Sequence, residues 1–176
     1  MMEMPRVATV YGGGFDDKTT IEYLDAVMIG KVLVEHGYQV KNGGYRGIME
    51  AVSKGVQEAG GDAVGITLQA YSNGKGNEFL SFTAVAPSLY KRLESLIELS
   101  NLFVVCRGGT GTLAELFLTL DIVRKMEIKP RIVCVDHRYA SVFDAAHELI
   151  PTKELEMVDF VDGYQGLERF LTYNKL

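Results

Sequence analysis

Residues 102–115, LFVVCRGGTGTLAE, pass from a continuously apolar segment through a glycine-rich turn into a helical pattern. An uninterrupted apolar run of this kind is typical of a central strand in a parallel sheet, which is covered on both faces. The segment Thr112–Met126 is apolar on nearly every side, which predicts a helix that is buried all round. A strand that leads directly into a helix is the repeating unit of α/β proteins.

The same alternation extends in both directions along the chain. Short apolar runs predict strands at Arg6–Tyr11, Tyr38–Lys41, Ala63–Leu68, Leu102–Cys106, Ile132–Val135 and Val158–Val161. Helical spacing predicts helices at Ile21–Val32, Ile48–Ala59, Pro87–Ile97, Thr112–Met126, Tyr139–Ile150 and Gly163–Tyr173. This order predicts a doubly wound parallel sheet with helices on both faces, formed by residues 1–176 as a single domain. The polar segment Gln69–Phe82 is interpreted as a long loop and a candidate lid.

The composition argues against several classes of function. The chain has 176 residues, a formal net charge of −5 and no Lys/Arg cluster, so a nucleic-acid partner is not expected. Neither Cys106 nor Cys134 has metal-ligand spacing to a second Cys or a His, so we expect no metal site. Both cysteines lie in apolar runs, which indicates a reducing compartment. With no signal core and no membrane-spanning stretch in the sequence, we expect a cytoplasmic protein without a membrane partner.

The turn Arg107–Thr112 is the strongest candidate for binding chemistry. Its three glycines let the backbone approach a ligand closely, and the helix N-terminus behind them favours an anion such as a phosphate. The glycine spacing matches neither the dinucleotide-binding fingerprint nor a P-loop. A turn required only by chain geometry is the alternative, and this segment alone supports the two interpretations equally.

Two further glycine turns follow the first and second predicted strands. They are Gly12–Gly14 and the pair Gly43 and Gly44 with Gly47. Because the carboxyl ends of parallel strands meet at one edge of a sheet, we expect both turns to lie beside the Arg107–Thr112 turn. Three converging turns are harder to explain by chain geometry than one. We therefore add four glycines to the candidate nucleotide-binding residues: Gly12, Gly13, Gly43 and Gly44.

Two charged side chains are candidates for catalysis. Glu115 lies one turn beyond the glycines, where a carboxylate can orient water or stabilise a positive, sugar-like transition state. Thr112-x-x-Glu115 is also a capping box, so Glu115 could serve only to close the helix N-terminus. Arg92 has no acidic residue three or four positions away, which leaves its guanidinium available to a phosphate or a base. The alternative is that Arg92 is a solvated surface residue, as most helical arginines are.

The helix predicted at Thr112–Met126 carries more apolar surface than one sheet can cover. One face packs on the sheet, and the opposite face needs a second cover. A second copy of the chain supplies that cover most simply, so we expect a homodimer. A neighbouring helix of the same chain is the alternative.

Several segments together resemble the LOG family, whose members are often mislabelled as lysine decarboxylases. Arg107–Glu115 resembles the family's P-G-G-x-G-T-x-x-E signature, and Leu89–Arg92 is similar to its M-H-x-R element. Asn42–Met49 resembles the G-G-G-x-x-G-L-M element, and Gly61–Ile66 resembles the G-G-x-V-I-G segment. These elements occur in the family's order, and the similarity runs from about Val7 to the last helix.

The resemblance implies a Rossmann-like homodimer that cleaves the N-glycosidic bond of a nucleoside 5′-monophosphate such as AMP. The products are the free base and ribose 5-phosphate. The family's catalytic arginine and glutamate fall on Arg92 and Glu115. Its phosphate-binding loop falls on Gly108, Gly109, Thr110, Gly111 and Thr112. No cofactor is implied, and no pyridoxal-phosphate site for amino-acid decarboxylation is evident in the sequence.

The chain departs from the family pattern at positions close to the expected ligand. Arg107 replaces the signature's proline, and its charge could serve the phosphate in place of the lysine that Leu93 replaces. Asp121 occupies the position of a substrate-binding threonine and is kept as a candidate ligand contact. Ala114 replaces an acidic residue, and Asn42 replaces a glycine. These changes favour the alternative function, which is a non-catalytic binder or carrier of a nucleotide-like phosphorylated ligand such as a molybdenum cofactor.

Overall fold

In the computed structural model, residues 5–14 and 17–176 are described, and they form seven strands and seven α-helices. The strands are β1 (Val7–Tyr11), β2 (Gln39–Asn42), β3 (Ala63–Leu68), β4 (Phe82–Ala86), β5 (Leu102–Val105), β6 (Arg131–Cys134) and β7 (Val158–Phe160). The helices are α1 (Ile21–Glu35), α2 (Ile48–Glu58), α3 (Leu89–Ile97), α4 (Thr110–Val123), α5 (Arg138–Ala146), α6 (Thr152–Leu155) and α7 (Gly163–Asn174). A 3₁₀ turn spans Ser72–Gly74.

All seven strands pair in parallel in the order β4-β3-β2-β1-β5-β6-β7. The central strand β1 pairs with both β2 and β5, so that Val10 lies opposite Asn42 on one side and Val104 on the other. The chain reaches one edge at β4 and then crosses to the other half of the sheet at β5. The order therefore reverses between β1 and β5, which is where open α/β sheets place their ligand crevice. The predicted Rossmann-like, doubly wound fold is confirmed.

Helices cover both faces of the sheet, and alternate residues of each strand supply the two cores. On β5, Leu102 and Val104 belong to the core under α1, α2 and α7, whereas Phe103 and Val105 belong to the core under α3, α4 and α5. Successive side chains of a strand point to opposite faces, so a strand covered on both sides has to be apolar throughout. The apolar run of residues 102–106 is explained by this double burial.

Two elements were not predicted from the sequence. Strand β4 begins at the last residue of the predicted loop Gln69–Phe82 and continues to Ala86, and helix α6 is a single turn. β4 lies at the edge of the sheet and most of its side chains are exposed, so it carries no continuous apolar run to reveal it. Helix α4 also begins at Thr110 and not at Thr112, which changes the interpretation of Glu115 below.

Two general features of the described residues concern partners. Within residues 5–14 and 17–176, none of the helices combines the length and the hydropathy that crossing a bilayer would require. In the same residues, no group of three or more His, Cys, Asp or Glu side chains is arranged to hold a metal ion. The thiols of Cys106 and Cys134 are buried, and burial raises the pKa of both above the ordinary value.

Helices α1 and α2 pack with their backbones in direct contact. A β-carbon on Gly55 would lie 1.8 Å from the carbonyl oxygen of Val27, and one on Gly30 would lie 2.3 Å from that of Val52. At each of these two contacts, a glycine of one helix therefore lies against the backbone of the other helix. This close approach holds the N-terminus of α2, and the turn before it, against the sheet.

Substitution of Gly55 by alanine is expected to destabilise the fold because the clash is with backbone, which cannot rotate away. Overpacking of this kind costs about 1–3 kcal/mol. The free energy of unfolding from urea titrations measures the loss. Gly111→Ala is the matched control, because an added methyl there meets no atom within 4 Å and alanine favours the helix by up to about 1 kcal/mol. Equal stability of the two variants would contradict the proposed close packing.

Candidate functional site

The three glycine turns meet at the carboxyl edge of the sheet, as predicted. The N–H of Gly13 donates to the carbonyl oxygen of Arg107 at 2.9 Å, and the carbonyl of Gly13 accepts from the N–H of Ile48 at 3.0 Å. One peptide of the first turn thus bonds both to the loop before α4 and to the first residue of α2. The N-termini of α2 and α4 are thereby placed beside one another.

The start of α4 presents several backbone amides without a protein acceptor. Its N-cap is Gly109, which has no side chain to accept a bond. The first amide of the helix that reaches a carbonyl is that of Leu113, which donates to Gly109 at 3.1 Å. Among the described residues, no acceptor takes the amides of Gly109, Thr110, Gly111 and Thr112. Free amides at the positive end of a helix dipole form an anion-binding site.

Glu115 does not close a capping box. Because α4 begins at Thr110, Thr112 is the third helical residue and not the N-cap, and it is buried against Gly108. The carboxylate of Glu115 instead lies 3.5 Å from Nη1 of Arg92 on α3. The structure therefore brings the two candidate catalytic side chains together, and the capping interpretation of Glu115 is wrong.

Arg92 is held in place by the backbone of two neighbouring strand ends. Its Nε donates to the carbonyl oxygen of Ile66 at 2.8 Å, and its Nη2 donates to that of Gly43 at 3.2 Å. The guanidinium also lies 5.5 Å from the ring centre of Tyr45. A β-carbon on Gly43 would be 2.2 Å from Nη2, so the glycine makes room for the arginine. With its side chain 11% exposed, Arg92 is not a solvated surface residue.

The environment of Glu115 favours its neutral form. The side chain is 15% exposed, and burial raises the pKa of its carboxyl above the ordinary value, which the Arg92 guanidinium offsets only in part. Beneath it, the buried hydroxyl of Tyr11 bonds to Oγ1 of Thr119 at 2.8 Å. A carboxylate that is more basic than usual is suited to accepting a proton from water.

A cavity of about 810 Å³ opens beside the Arg92–Glu115 pair. Its lining consists of Gly14, Tyr45, Arg46, Glu50, Tyr71, Ser72, Lys75, Gly76, Asn77, Glu78 and Arg92. Glu115 lies behind this wall and contacts it through Arg92. A nucleoside would fit this space, since small-molecule sites are typically about 300–1,000 Å³.

The predicted loop forms one wall of this cavity and is tied to the turn after β2. The backbone N–H of Asn77 donates to the carbonyl oxygen of Gly44 at 2.8 Å, and its side-chain amide donates to that of Tyr45 at 3.0 Å. Thr67 donates to the carbonyl of Gly74 at 2.7 Å. The segment is therefore anchored at both its centre and its end.

Two predicted ligand contacts, Arg107 and Asp121, form ion pairs with other side chains. Arg107 extends towards α1, where its Nη1 lies 2.5 Å from the carboxylate of Glu22, beside a smaller cleft of about 230 Å³. Asp121 pairs with Arg124 and Lys125 at 2.7 Å each. It lies about 16 Å along α4 from Thr110, at a rise of 1.5 Å per residue.

Of the residues that line the cavity, only Arg92 was predicted as a site residue, and Tyr45, Glu50 and Tyr71 are among those that sequence reasoning missed. Tyr45 and Tyr71 face each other edge to face with ring centres 6.3 Å apart. A usable signal was present for Glu50, because it is an acidic residue one turn into α2, directly after a glycine turn. No comparable signal marks Tyr71, which reaches the cavity only through the course of the loop.

Comparison with known proteins adds a family assignment. The family model described as "LDcluster4: SLOG cluster4 family" matches residues 6–154. A probable cytokinin riboside 5′-monophosphate phosphoribohydrolase of Oryza sativa subsp. japonica is 32% identical over 113 residues, which is 63% of this chain and 46% of the rice protein.

Two solved structures share the fold at low sequence identity. The molybdenum cofactor binding protein of Rippkaea orientalis superposes with a TM-score of 0.78 at 18% identity, over 100% of both chains. The molybdenum cofactor carrier protein of Chlamydomonas reinhardtii gives a TM-score of 0.74 at 21% identity, over 97% of this chain and 98% of that one. At these identities, the likeness establishes the fold alone.

Replacement of Glu115 by glutamine is expected to leave stability at pH 7 unchanged or increased. A carboxyl whose pKa is raised by folding loses stabilising free energy as pH rises from the ordinary glutamate pKa, about 4.3, through the raised value. The advantage of Glu115→Gln over the native protein should therefore grow across that range and then level off. Urea unfolding at a series of pH values measures it.

Glu58→Gln is the control, because the opposite dependence of stability on pH is expected for it. The Lys31 ammonium lowers the pKa of Glu58, so the native carboxylate contributes stability that is fully present above the ordinary pKa. The disadvantage of this variant relative to the native protein should therefore grow as pH rises from the lowered pKa to the ordinary one. A Glu115→Gln protein that behaved like Glu58→Gln would show that Glu115 is a stabilising ion-pair partner.

Proposed function

The chain belongs to the SLOG cluster4 family as a divergent LOG-like member, and on that basis we propose that it hydrolyses the N-glycosidic bond of a nucleoside 5′-monophosphate. The observation that carries the proposal is the buried contact between Arg92 and Glu115, one turn from the open amides of α4. The start of α4 supplies an anion site and a basic carboxylate, and α3 supplies a fixed cation, all within one small region.

The 5′-phosphate is assigned to the amides of Gly109, Thr110, Gly111 and Thr112. Bonds to these groups need no movement of the protein, because none of the described residues accepts from these amides. Binding of this remote phosphate would hold the ribose over Glu115, which lies about one helical pitch, 5.4 Å, further along α4. Such positioning converts binding free energy into a lower barrier at the reacting carbon.

Glu115 then acts at the anomeric carbon of the ribose. As the bond between C1′ and the base nitrogen breaks, its electron pair leaves with the base, which takes up a proton. Water adds to C1′ and gives up a proton, so the products are the free base and ribose 5-phosphate. The carboxylate orients this water and stabilises the positive charge that develops on the sugar. Arg92 supports the departing base or the phosphate through its fixed positive charge.

A second candidate function is binding or carriage of a phosphorylated, nucleotide-like ligand without turnover. Two observations favour it. Arg107 and Asp121 pair with other side chains away from the loop, and Glu115 lies behind the cavity wall. Two of the proteins that share the fold over 97% or more of the chain are described as a molybdenum cofactor binding protein and a molybdenum cofactor carrier protein.

A homodimer is supported by an apolar groove between α3 and α4. The groove measures about 550 Å³ and includes Tyr90, Leu93, Ile97, Leu118, Ile122 and Met126. Its rim residue Tyr90 is 84% exposed. Contiguous exposed apolar surface of this kind marks an interaction site. We propose that a second copy of the chain packs into this groove. The sequence already indicated such a partner, because α4 is apolar on the side that faces away from the sheet.

Release of free base from a nucleoside monophosphate tests the catalytic proposal. Purified protein is incubated with AMP, GMP, CMP, UMP and isopentenyl-AMP, and base and ribose 5-phosphate are quantified by chromatography. Glu115→Gln should lower the rate about 10²–10⁴-fold, the range for loss of a general base. Glu148→Gln, an exposed glutamate outside the site, should retain the native rate. If the native protein released base no faster than Glu115→Gln does, hydrolysis at this site would be excluded.

Thermal unfolding with ligand then decides between the two functions. A ligand at 100 times its dissociation constant adds about 2.7 kcal/mol to the free energy of unfolding. A shift of that size without product formation supports the carrier function, whereas a shift with product formation supports hydrolysis. No shift with any monophosphate would contradict both.

Disruption of the groove should yield a monomer. Tyr90→Glu places a charge on the proposed interface while leaving the fold intact, because the side chain is almost fully exposed. Light scattering coupled to gel filtration measures the mass of each species. Leu149→Glu is the control, because Leu149 is 87% exposed but lies outside the groove. A Tyr90→Glu variant that is still dimeric, or a native protein that is monomeric, would disprove this interface.

A further inference from the structure

Glu50 is a buried carboxylate of the cavity wall that the proposed reaction does not use. It lies in the first turn of α2, and its side chain is 8% exposed. Oε1 accepts from the hydroxyl of Tyr23 at 3.1 Å and pairs with the ammonium of Lys18. Within the described residues, Oε2 has no hydrogen-bond partner, although the residue lines the cavity. Since no buried side-chain oxygen of the described residues lacks a partner, Oε2 is accessible from the cavity and can accept from a ligand that enters it.

The position of Glu50 also suits contact with a planar ring. Tyr45 and Tyr71 line the same cavity, and their perpendicular rings give a flat heterocycle an aromatic surface to stack on. Arg92 also lines this cavity, at the side where it contacts Glu115. A ligand whose phosphate binds at α4 and whose sugar lies at Arg92 would therefore extend its base into the part of the cavity that contains Glu50.

We propose that Glu50 selects heterocycles with two adjacent ring N–H and amino donors, namely guanine or a pterin, over adenine. This inference rests on the proposed function, because it assigns the base-binding part of the same site. Guanine presents its N1–H and 2-amino groups side by side, and a pterin presents an equivalent pair. Because Oε1 already bonds to Tyr23 and Lys18, Oε2 accepts both donors through its two lone pairs, and such charge-assisted bonds are strong.

The other common bases do not match a carboxylate in this way. Adenine and cytosine place a ring nitrogen lone pair beside their amino group, which would face one of the Glu50 oxygens. Uracil has one N–H between two carbonyl oxygens, and both would repel the carboxylate. Hypoxanthine keeps the N1–H of guanine but lacks the 2-amino group. The expected order of affinity is therefore GMP first, IMP second, and AMP, CMP and UMP weaker.

A structural role for Glu50 makes a different prediction. If the carboxylate served only to hold Tyr23 and Lys18, its loss would weaken binding of all nucleotides to the same extent, through destabilisation of α1 against α2. A selective role predicts that its loss changes the ratio of affinities. Glutamine at this position offers one acceptor and one donor, a pattern that matches adenine and not guanine.

Calorimetric titration of the full chain with GMP, IMP and AMP at one salt concentration tests the inference. The native protein should bind GMP at least about tenfold more tightly than AMP, with IMP between them, as expected when a site pairs a donor that the analogue lacks. In Glu50→Gln, the GMP to AMP ratio should fall to about one or invert. Glu148→Gln, an exposed carboxylate outside the cavity, and Tyr23→Phe, which removes only the bond to Oε1, should keep the native ratio.

The outcomes separate this inference from the proposed function. Equal binding of GMP and AMP by the native protein, or an unchanged ratio in folded Glu50→Gln, would overturn the role of Glu50 and leave the proposed function standing. If Glu50→Gln does not fold, the native order of GMP, IMP and AMP alone decides, since any other order contradicts the inference. Failure of every monophosphate to bind would overturn the proposed function and this inference with it.

Discussion

The peptide of Gly13 joins the loops on which the candidate site depends. Its N–H bonds to the loop before α4 and its carbonyl bonds to the first amide of α2, so two helix N-termini are placed beside the central strand β1. Only a short loop at the end of β1 can make both bonds, because β1 lies between β2 and β5. The anion site, the Arg92 pocket and the cavity all lie around this junction.

Arg92 and Glu115 show how the fold maintains a charged pair in a mostly buried setting. Removing charges from water costs free energy, and a single contact of 3.5 Å does not restore it. The backbone compensates by giving the guanidinium two carbonyl acceptors, at Ile66 and Gly43, while Glu115 receives no such support. The glutamate is therefore left with a raised pKa beside a fixed cation. That asymmetry is suited to proton transfer and does little for stability.

The departures from the LOG pattern have local physical explanations at two positions. Asn42 is buried, and its side chain accepts from the amide of Gly44 at 2.8 Å and donates to Ser53 at 2.9 Å. It thereby stabilises the turn through side-chain hydrogen bonds that a glycine could not make. Arg107 joins the loop before α4 to Glu22 on α1. Both residues strengthen the scaffold around the glycine turns. Nothing in the structure explains Ala114.

The sequence by itself determined six of the seven strands, every helix except α6, the parallel sheet and the convergence of the glycine turns, because apolar periodicity and chain direction are local properties. The tertiary structure alone decided which charged groups meet. The partner of Glu115 is 23 residues away on another helix, and the capping-box spacing suggested a local partner instead. Packing against distant segments also decided three other features. These are the edge strand β4, the direction of the Arg107 side chain and the position of Glu50 in the cavity wall. Burial and pairing between distant segments are set only when the whole chain has folded.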